Sequence, residues 1–217
     1  MLALRFDKKD TAPLRVLCLG AHSDDIEIGC GGTILKLLQD YPAVEFYWVV
    51  FSGNEARARE ARTSAQLFLR RAKQKTAVTK NFRDGFFPSV QKEIKEFFEQ
   101  LKPAFAPDLI FTHFRHDLHQ DHRVIWELTW NTFRHHLILE YEIVKYDGDL
   151  GQPNFFVPLS QSLSRRKVDY LMKNFPSQHD NHWYAPESFL ALMRLRGIES
   201  NAPAHYAEAF HCRKLVI

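Results

Sequence analysis

Three short apolar segments, each separated from the next by a longer stretch with helical spacing, constrain the fold of this 217-residue chain most strongly. They cover residues 15–20, 44–51 and 108–112 and are rich in branched and aromatic side chains, as strands buried on both faces usually are. Connections long enough to hold a helix favour parallel pairing of such strands. The pattern predicts an α/β fold with a doubly wound, mostly parallel, Rossmann-like sheet that carries helices on both faces.

The whole chain, residues 1–217, is predicted to form one domain, because α/β domains of this length commonly form a single core. Helices are predicted at residues 33–39, 55–72, 90–101, 124–133, 164–174 and 186–196, and further strand-like segments at 76–78, 141–146 and 206–217. Residues 1–13 are predicted to be a lead-in. Residues 141–217 are predicted to form a C-terminal part that shapes the choice of substrate.

Composition excludes several classes of protein. Hydrophobic residues make up 45% and charged residues 25%, which is ordinary for a globular protein. No apolar run approaches the roughly 18 residues of a membrane span, and charges occupy the place of a signal-peptide core. Three cysteines do not form a disulfide framework, so we expect the reducing cytoplasm. A net charge of +3 is too small to indicate a nucleic-acid partner, although it would suit a phosphorylated substrate.

Polar residues follow the first predicted strand directly: His22, Asp24, Asp25 and Glu27 occupy four of six positions. A second polar cluster follows the third strand at residues 113–122, with the sequence HFRHDLHQDH. Because the carboxyl ends of parallel strands meet at one edge of a sheet, we expect the two clusters to meet in space. The sequence therefore predicts one polar site built from both.

The residue types of these clusters indicate metal-assisted hydrolysis. Catalytic zinc usually has three His or carboxylate ligands and one open position, and His22, Asp25 and one of the later histidines provide such a set. Asp24 is then available as general base for metal-bound water. Asp121 is placed to orient whichever neighbouring imidazole is not a ligand.

The two motifs, AHSDDIE followed by GCGG and later HQDH, resemble the LmbE/PIG-L family of zinc-dependent N-acetylglucosaminyl deacetylases. The resemblance implies a small-molecule N-acetylated sugar as substrate and hydrolysis of its amide. By position in the family motifs, the residues divide into zinc ligands and catalytic groups: His22, Asp25 and His122 as ligands, Asp24 as general base, His119 as oxyanion stabiliser and Asp121 as its support.

The resemblance extends beyond the two motifs. Arg57 and Glu60 resemble the family's R-x-x-E helix start, which implies substrate binding, and Asp84 with Gly85 resembles its later D-G turn. Ser23 and Gln120 stand where the family usually has proline, which costs loop rigidity but no ligand.

Other polar residues are expected to have ordinary roles. His113 and His116 are predicted to be outer-sphere or solvent-facing residues rather than ligands. Cys18 and Cys30 are predicted to be small packed residues.

Two alternatives from other classes stay open. A nucleotide-binding α/β module would use Gly29, Gly31 and Gly32 as a phosphate loop with magnesium on Asp25. A nucleic-acid binder would use the basic run at residues 57–80, but helical charge runs usually face water. Against the first alternative, the chain has neither a G-x-x-x-x-G-K-[ST] nor a G-x-G-x-x-G stretch. A homo-oligomer is compatible with the sequence.

Overall fold

A computed structural model describes residues 4–6 and 12–216 of the chain. Most of the predicted lead-in and Ile217 lie outside the described residues. The strands are β1 (Leu14–Gly20), β2 (Val44–Ser52), β3 (Gln74–Phe82), β4 (Leu109–His113), β5 (Leu137–Tyr141), β6 (Phe155–Leu159) and β7 (Tyr206–Cys212). The helices are α1 (Asp25–Asp40), α2 (Glu55–Phe68), α3 (Gln91–Ala104), α4 (Gln120–Thr132), α5 (Gln161–Asn174) and α6 (Pro186–Glu199).

The strands form one seven-stranded sheet in the order β3-β2-β1-β4-β5-β7-β6. The first five are parallel, whereas β7 pairs antiparallel with both β5 and β6. One core layer packs α1, α2, α5 and α6 against one face, and a second packs α3 and α4 against the other. The predicted doubly wound, mostly parallel sheet is confirmed. None of the described helices is long and apolar enough to cross a membrane.

The C-terminal part differs from the prediction in its strands. The predicted strand at residues 141–146 is wrong: β5 ends at Tyr141, and the chain leaves the sheet there. Strands β5 and β6 have five residues each, and β6 contains Pro158. Such short segments give too few positions for an alternating pattern to stand out.

Helix α1 begins at Asp25, eight residues before the predicted start, so Gly29, Gly31 and Gly32 lie inside the helix. A Cβ atom at Gly29 would lie 2.3 Å from Tyr141, and one at Gly32 would lie 2.5 Å from Leu159. The glycines therefore let α1 approach the sheet closely, which helix propensity alone does not predict.

The glycine segment does bind an anion, but the anion belongs to the chain. Glu208 on β7 accepts hydrogen bonds from the backbone N–H groups of Gly32 and Thr33, at 2.8 and 2.6 Å. Lys167 on α5 donates to the same carboxylate and to the carbonyl of Ile28, both at 2.6 Å. The hypothesis of a phosphate loop at a helix N-terminus is therefore wrong for these residues.

Candidate metal centre

The two polar clusters meet at the carboxyl edge of the sheet, as predicted. Strands β1 and β4 are neighbours, so the segment after β1 lies beside the segment that leads into α4. His22 Nδ1 is 3.1 Å from His122 Nε2. Asp25 lies 3.5 Å from each of these nitrogens through its two carboxylate oxygens. All three side chains are buried.

These separations suit a tetrahedral ion. Ligand atoms about 2.0–2.1 Å from a zinc ion lie about 3.3 Å from one another. The two imidazole nitrogens, 3.1 Å apart, meet that requirement within a few tenths of an ångström, and Asp25 places a different oxygen 3.5 Å from each of them. Among the described residues, three overlapping groups have ligand atoms that all lie within 4.8 Å of one another: His22–His119–His122, Asp25–His113–His122 and His22–Asp84–Asp121.

A carboxylate lies against the outer nitrogen of each of the two imidazoles. His22 Nε2 is 3.3 Å from Asp121 Oδ2, and His122 Nδ1 is 2.9 Å from Asp117 Oδ2. Metal-binding histidines usually have such a partner, which fixes the ring and makes the inner nitrogen more basic. Sequence analysis missed Asp117, although its place two residues before His119 was a usable signal.

Asp121 is tied to the backbone rather than to the His119 ring. Its carboxylate accepts hydrogen bonds from the N–H groups of Gly85 and Phe87, at 2.6 and 3.1 Å, besides the contact with His22. His119 caps α4, and its Nδ1 accepts the Asp121 N–H at 3.2 Å. A neutral His119 therefore has its proton on Nε2. Burial and the neighbouring His22 lower the pKa of His119, which favours that neutral form.

His113 is fully buried behind Asp25, while His116 is exposed. The Nε2 atom of His113 is 3.3 Å from Asp25 Oδ2 and accepts the Ala21 N–H at 2.9 Å. Its ring stacks on His122 with centroids 3.9 Å apart. His113 thus contacts a candidate ligand and belongs to one of the groups that could hold an ion, so its outer-sphere role stays a prediction.

Asp24 has the features of a general base. Arg57 donates to its Oδ1 at 3.1 Å, whereas the buried Oδ2 has no hydrogen-bond partner among the described residues. Burial raises the pKa of Asp24 to about 6, against the opposing effect of the Arg57 charge. A base with a pKa near the working pH is effective in proton transfer.

The electrostatics of the ligands favour a cation. Burial and the nearby His113 lower the pKa of His122 to about 4, so this imidazole is neutral and able to ligate. Burial raises the pKa of Asp25, but the surrounding imidazoles outweigh that effect and hold its pKa well below the usual value. Burial lowers the pKa of His22, but the neighbouring carboxylates, chiefly Asp25, outweigh that effect and raise the pKa well above 6.5. These carboxylates therefore favour positive charge at this point.

The predicted substrate residues are held by other side chains. Arg57 also reaches Asp84 Oδ2 at 3.4 Å, and Asp84 Oδ1 is 3.1 Å from His22 Nε2. Asp84 therefore belongs to the site, although the sequence showed it only as part of a turn. Both oxygens of Glu60 accept hydrogen bonds from Ser177, at 3.0 and 2.6 Å, so Glu60 anchors the segment after α5.

A doubly wound sheet with a buried His and carboxylate cluster at its carboxyl edge defines an α/β protein with a candidate metal-dependent active site. The sequence model of the PIG-L family, described as GlcNAc-PI de-N-acetylase, matches residues 17–133, more than half of the chain. The chain belongs to this family and is a hydrolase of the N-deacetylase class.

Solved structures with the same fold include two deacetylases. The N,N′-diacetylchitobiose deacetylase of Pyrococcus horikoshii is 23% identical with a TM-score of 0.67, covering 92% of this chain and 83% of its own. The A40926 pseudoaglycone deacetylase Dbv21 is 16% identical with a TM-score of 0.66, and the match covers 95% of this chain and 100% of that one.

The fold also occurs with another reported activity. GalB, a 4-carboxy-2-hydroxymuconate hydratase from Pseudomonas putida, is 14% identical with a TM-score of 0.69, covering 94% of this chain and 97% of its own. Among curated proteins, no sequence is a significant match.

Proposed function

We propose that the chain uses zinc to remove the N-acetyl group from an N-acetylated amino sugar or its conjugate. The observation that carries this proposal is the buried Oδ2 of Asp24, which has no hydrogen-bond partner in the described part of the chain and belongs to the residue next to the candidate ligand Asp25. The similarity to the chitobiose and A40926 pseudoaglycone deacetylases supports an amino-sugar substrate.

His22, Asp25 and His122 would hold the ion, because the two imidazole nitrogens are 3.1 Å apart and each lies 3.5 Å from an Asp25 oxygen. A zinc ion at such a site supplies Lewis-acid polarisation of the amide carbonyl and lowers the pKa of bound water toward about 7. Asp121 and Asp117 would fix the orientation of the two imidazoles.

The proton steps belong to the chain's own residues. Asp24 takes a proton from the attacking water on Oδ2 and delivers it to the leaving amine, so the carboxylate is regenerated in each turnover. His119 donates from Nε2 to the oxyanion that develops on the amide oxygen. Arg57 holds Asp24 in place and, with Asp84, presents polar atoms for sugar hydroxyls, while Glu60 contributes through the segment it anchors.

The experiment combines metal content with release of acetate from a panel of N-acetylated sugars, before and after chelation. We expect about one zinc per chain and acetate release that chelation abolishes and zinc restores. Asp24→Asn should keep the zinc and lose about 100- to 10,000-fold in rate. Full activity in that variant, or no acetate from any sugar by the zinc-loaded protein, would contradict the proposal.

A small-molecule substrate, a cytoplasmic location and a homo-oligomeric state remain predictions that accompany this function. The basic residues of the 57–80 run lie on α2, on the edge strand β3 and in the connection between them. Charges on an edge strand discourage pairing with other sheets.

A further inference from the structure

We propose that Lys145 is a positioning residue for the candidate metal centre and acts on His122 through Asp117. Lys145 lies between β5 and β6, in a segment without regular structure, and it has no ligand role of its own. The inference rests on the proposed function, because it concerns how a ligand of that site is held.

A short chain of contacts joins Lys145 to the candidate ligand. The Lys145 ammonium is 3.2 Å from Asp117 Oδ2, and the same oxygen is 2.9 Å from His122 Nδ1. The lysine side chain is only 9% exposed and that of Asp117 only 2%, so water screens these contacts weakly. The ammonium is therefore one residue removed from a candidate ligand.

Lys145 also binds a second carboxylate that holds the same turn. It hydrogen-bonds Asp149, which accepts the Leu118 N–H at 2.7 Å. Asp117 in turn accepts the His119 N–H on its other oxygen, at 2.8 Å. The two carboxylates thus hold the backbone that leads into α4, with the ammonium between them.

The charges explain why the lysine is needed there. Asp117 and Asp149 are both buried, with side chains 2% and 6% exposed, and both lie within hydrogen-bond reach of one ammonium. Asp147 is more exposed and lies 3.7 Å from it. Without the cation, two buried carboxylates would repel each other across a short gap. Asp117 would then move away from its position against His122.

The position of Asp117 fixes which way His122 faces. While His122 donates its Nδ1 proton to Asp117, its Nε2 points to His22 and Asp25. A ring that loses this partner can rotate, and loss of such outer partners typically lowers metal affinity about 10- to 100-fold. Lys145 therefore sets the orientation of a ligand that it does not touch.

The test compares metal affinity in three variants. Lys145→Met removes the charge at similar length, and Lys145→Arg keeps a cation that can bridge two carboxylates. Lys95→Met is the matched control, because Lys95 on α3 pairs with Glu99 of the same helix and with Asn131 on α4. We expect zinc affinity, measured against a competing chelator, to fall about 10-fold or more in Lys145→Met, and to change less than about threefold in Lys145→Arg and Lys95→Met.

Two further readings separate positioning from loss of folding. The absorption bands of the cobalt-loaded protein should change in Lys145→Met. The comparison is made at equal folded fraction, which is determined by unfolding the metal-free proteins. In metal-free wild type, nitrogen NMR should show the His122 proton on Nδ1, and Lys145→Met should alter that signal. Unchanged affinity per folded molecule and unchanged spectra would overturn the inference. Absence of metal and acetate release in wild type would instead count against the proposed function.

Discussion

At the scale of single residues, the site depends on the different environments of two adjacent carboxylates. Asp24 and Asp25 are equally buried, yet burial raises the pKa of Asp24 whereas imidazoles hold that of Asp25 low. Asp25 points to three histidines, while Asp24 has one arginine and an oxygen without a partner among the described residues. One carboxylate is therefore suited to hold a cation and the other to move a proton.

This difference predicts the pH dependence of the reaction. The base must be ionised, so kcat/KM should rise as the pH passes through the pKa of Asp24, which is about 6 without a metal and is lowered by a bound cation, and level off above it. Arg57 favours the ionised form of Asp24, so Arg57→Gln should move the rising limb to higher pH. The check is the pH profile of kcat/KM with a neutral N-acetylated sugar.

Arg62→Gln is the matched control for that profile, because Arg62 is an exposed arginine on the same helix. If the rising part of the kcat/KM profile stays at the same pH in Arg57→Gln, whatever its plateau value, then a group other than Asp24 controls it.

At the scale of elements, α1 packs closely against β5. Gly29 faces the ring of Tyr141, whose hydroxyl donates to the carbonyl of Leu19 at 2.6 Å. The helix that begins with Asp25 is thereby held against the strand beside β4. A side chain at this position would push α1 and its first turn away from the sheet.

Gly29→Ala should therefore destabilise the protein although alanine favours helices. Its Cβ would lie 2.3 Å from Tyr141, and such overpacking typically costs about 1–3 kcal/mol, occasionally more. Gln39→Ala, at the exposed end of the same helix, should change stability by less than about 0.5 kcal/mol. The free energy of unfolding in urea checks both, and a more stable Gly29→Ala would contradict the packing described.

At the scale of the whole molecule, the buried ion pair of Lys167 and Glu208 joins α5 and β7 to α1. Both side chains are less than 5% exposed. Glu208→Gln leaves the ammonium without its charge partner, which typically costs about 3–5 kcal/mol. Replacing both, as Lys167→Met with Glu208→Gln, should recover part of that loss.

Urea unfolding of the two single variants and the double variant gives the coupling between the residues. If the double variant loses the sum of the single losses, the pair is not energetically coupled.

The sequence predicted the parallel part of the fold and the meeting of the two clusters, because both follow from local patterns and from the geometry of parallel sheets. The start of α1 was predicted eight residues late, because glycines in a sequence suggest a loop. The contacts that require glycine here come from Tyr141 and Leu159, which are distant in the sequence. Asp84 was not singled out as a site residue, because it acts through His22, a partner distant in sequence. Asp117 was also missed, although its partner His122 lies only five residues further on. Long-range contacts are what local patterns cannot show.

The bond from Glu208 to the glycine segment of α1 also sets an order of assembly. A ribosome makes α1 long before Glu208, which lies 176 residues after Gly32 in the chain. Strand β6 joins the sheet through β7, so it cannot reach its final place before β7 arrives. The helix that carries Asp25 therefore reaches its final setting only after residue 208 has been made. A ribosome-bound chain that stops short of residue 208 should bind zinc poorly even though every candidate ligand has already been made.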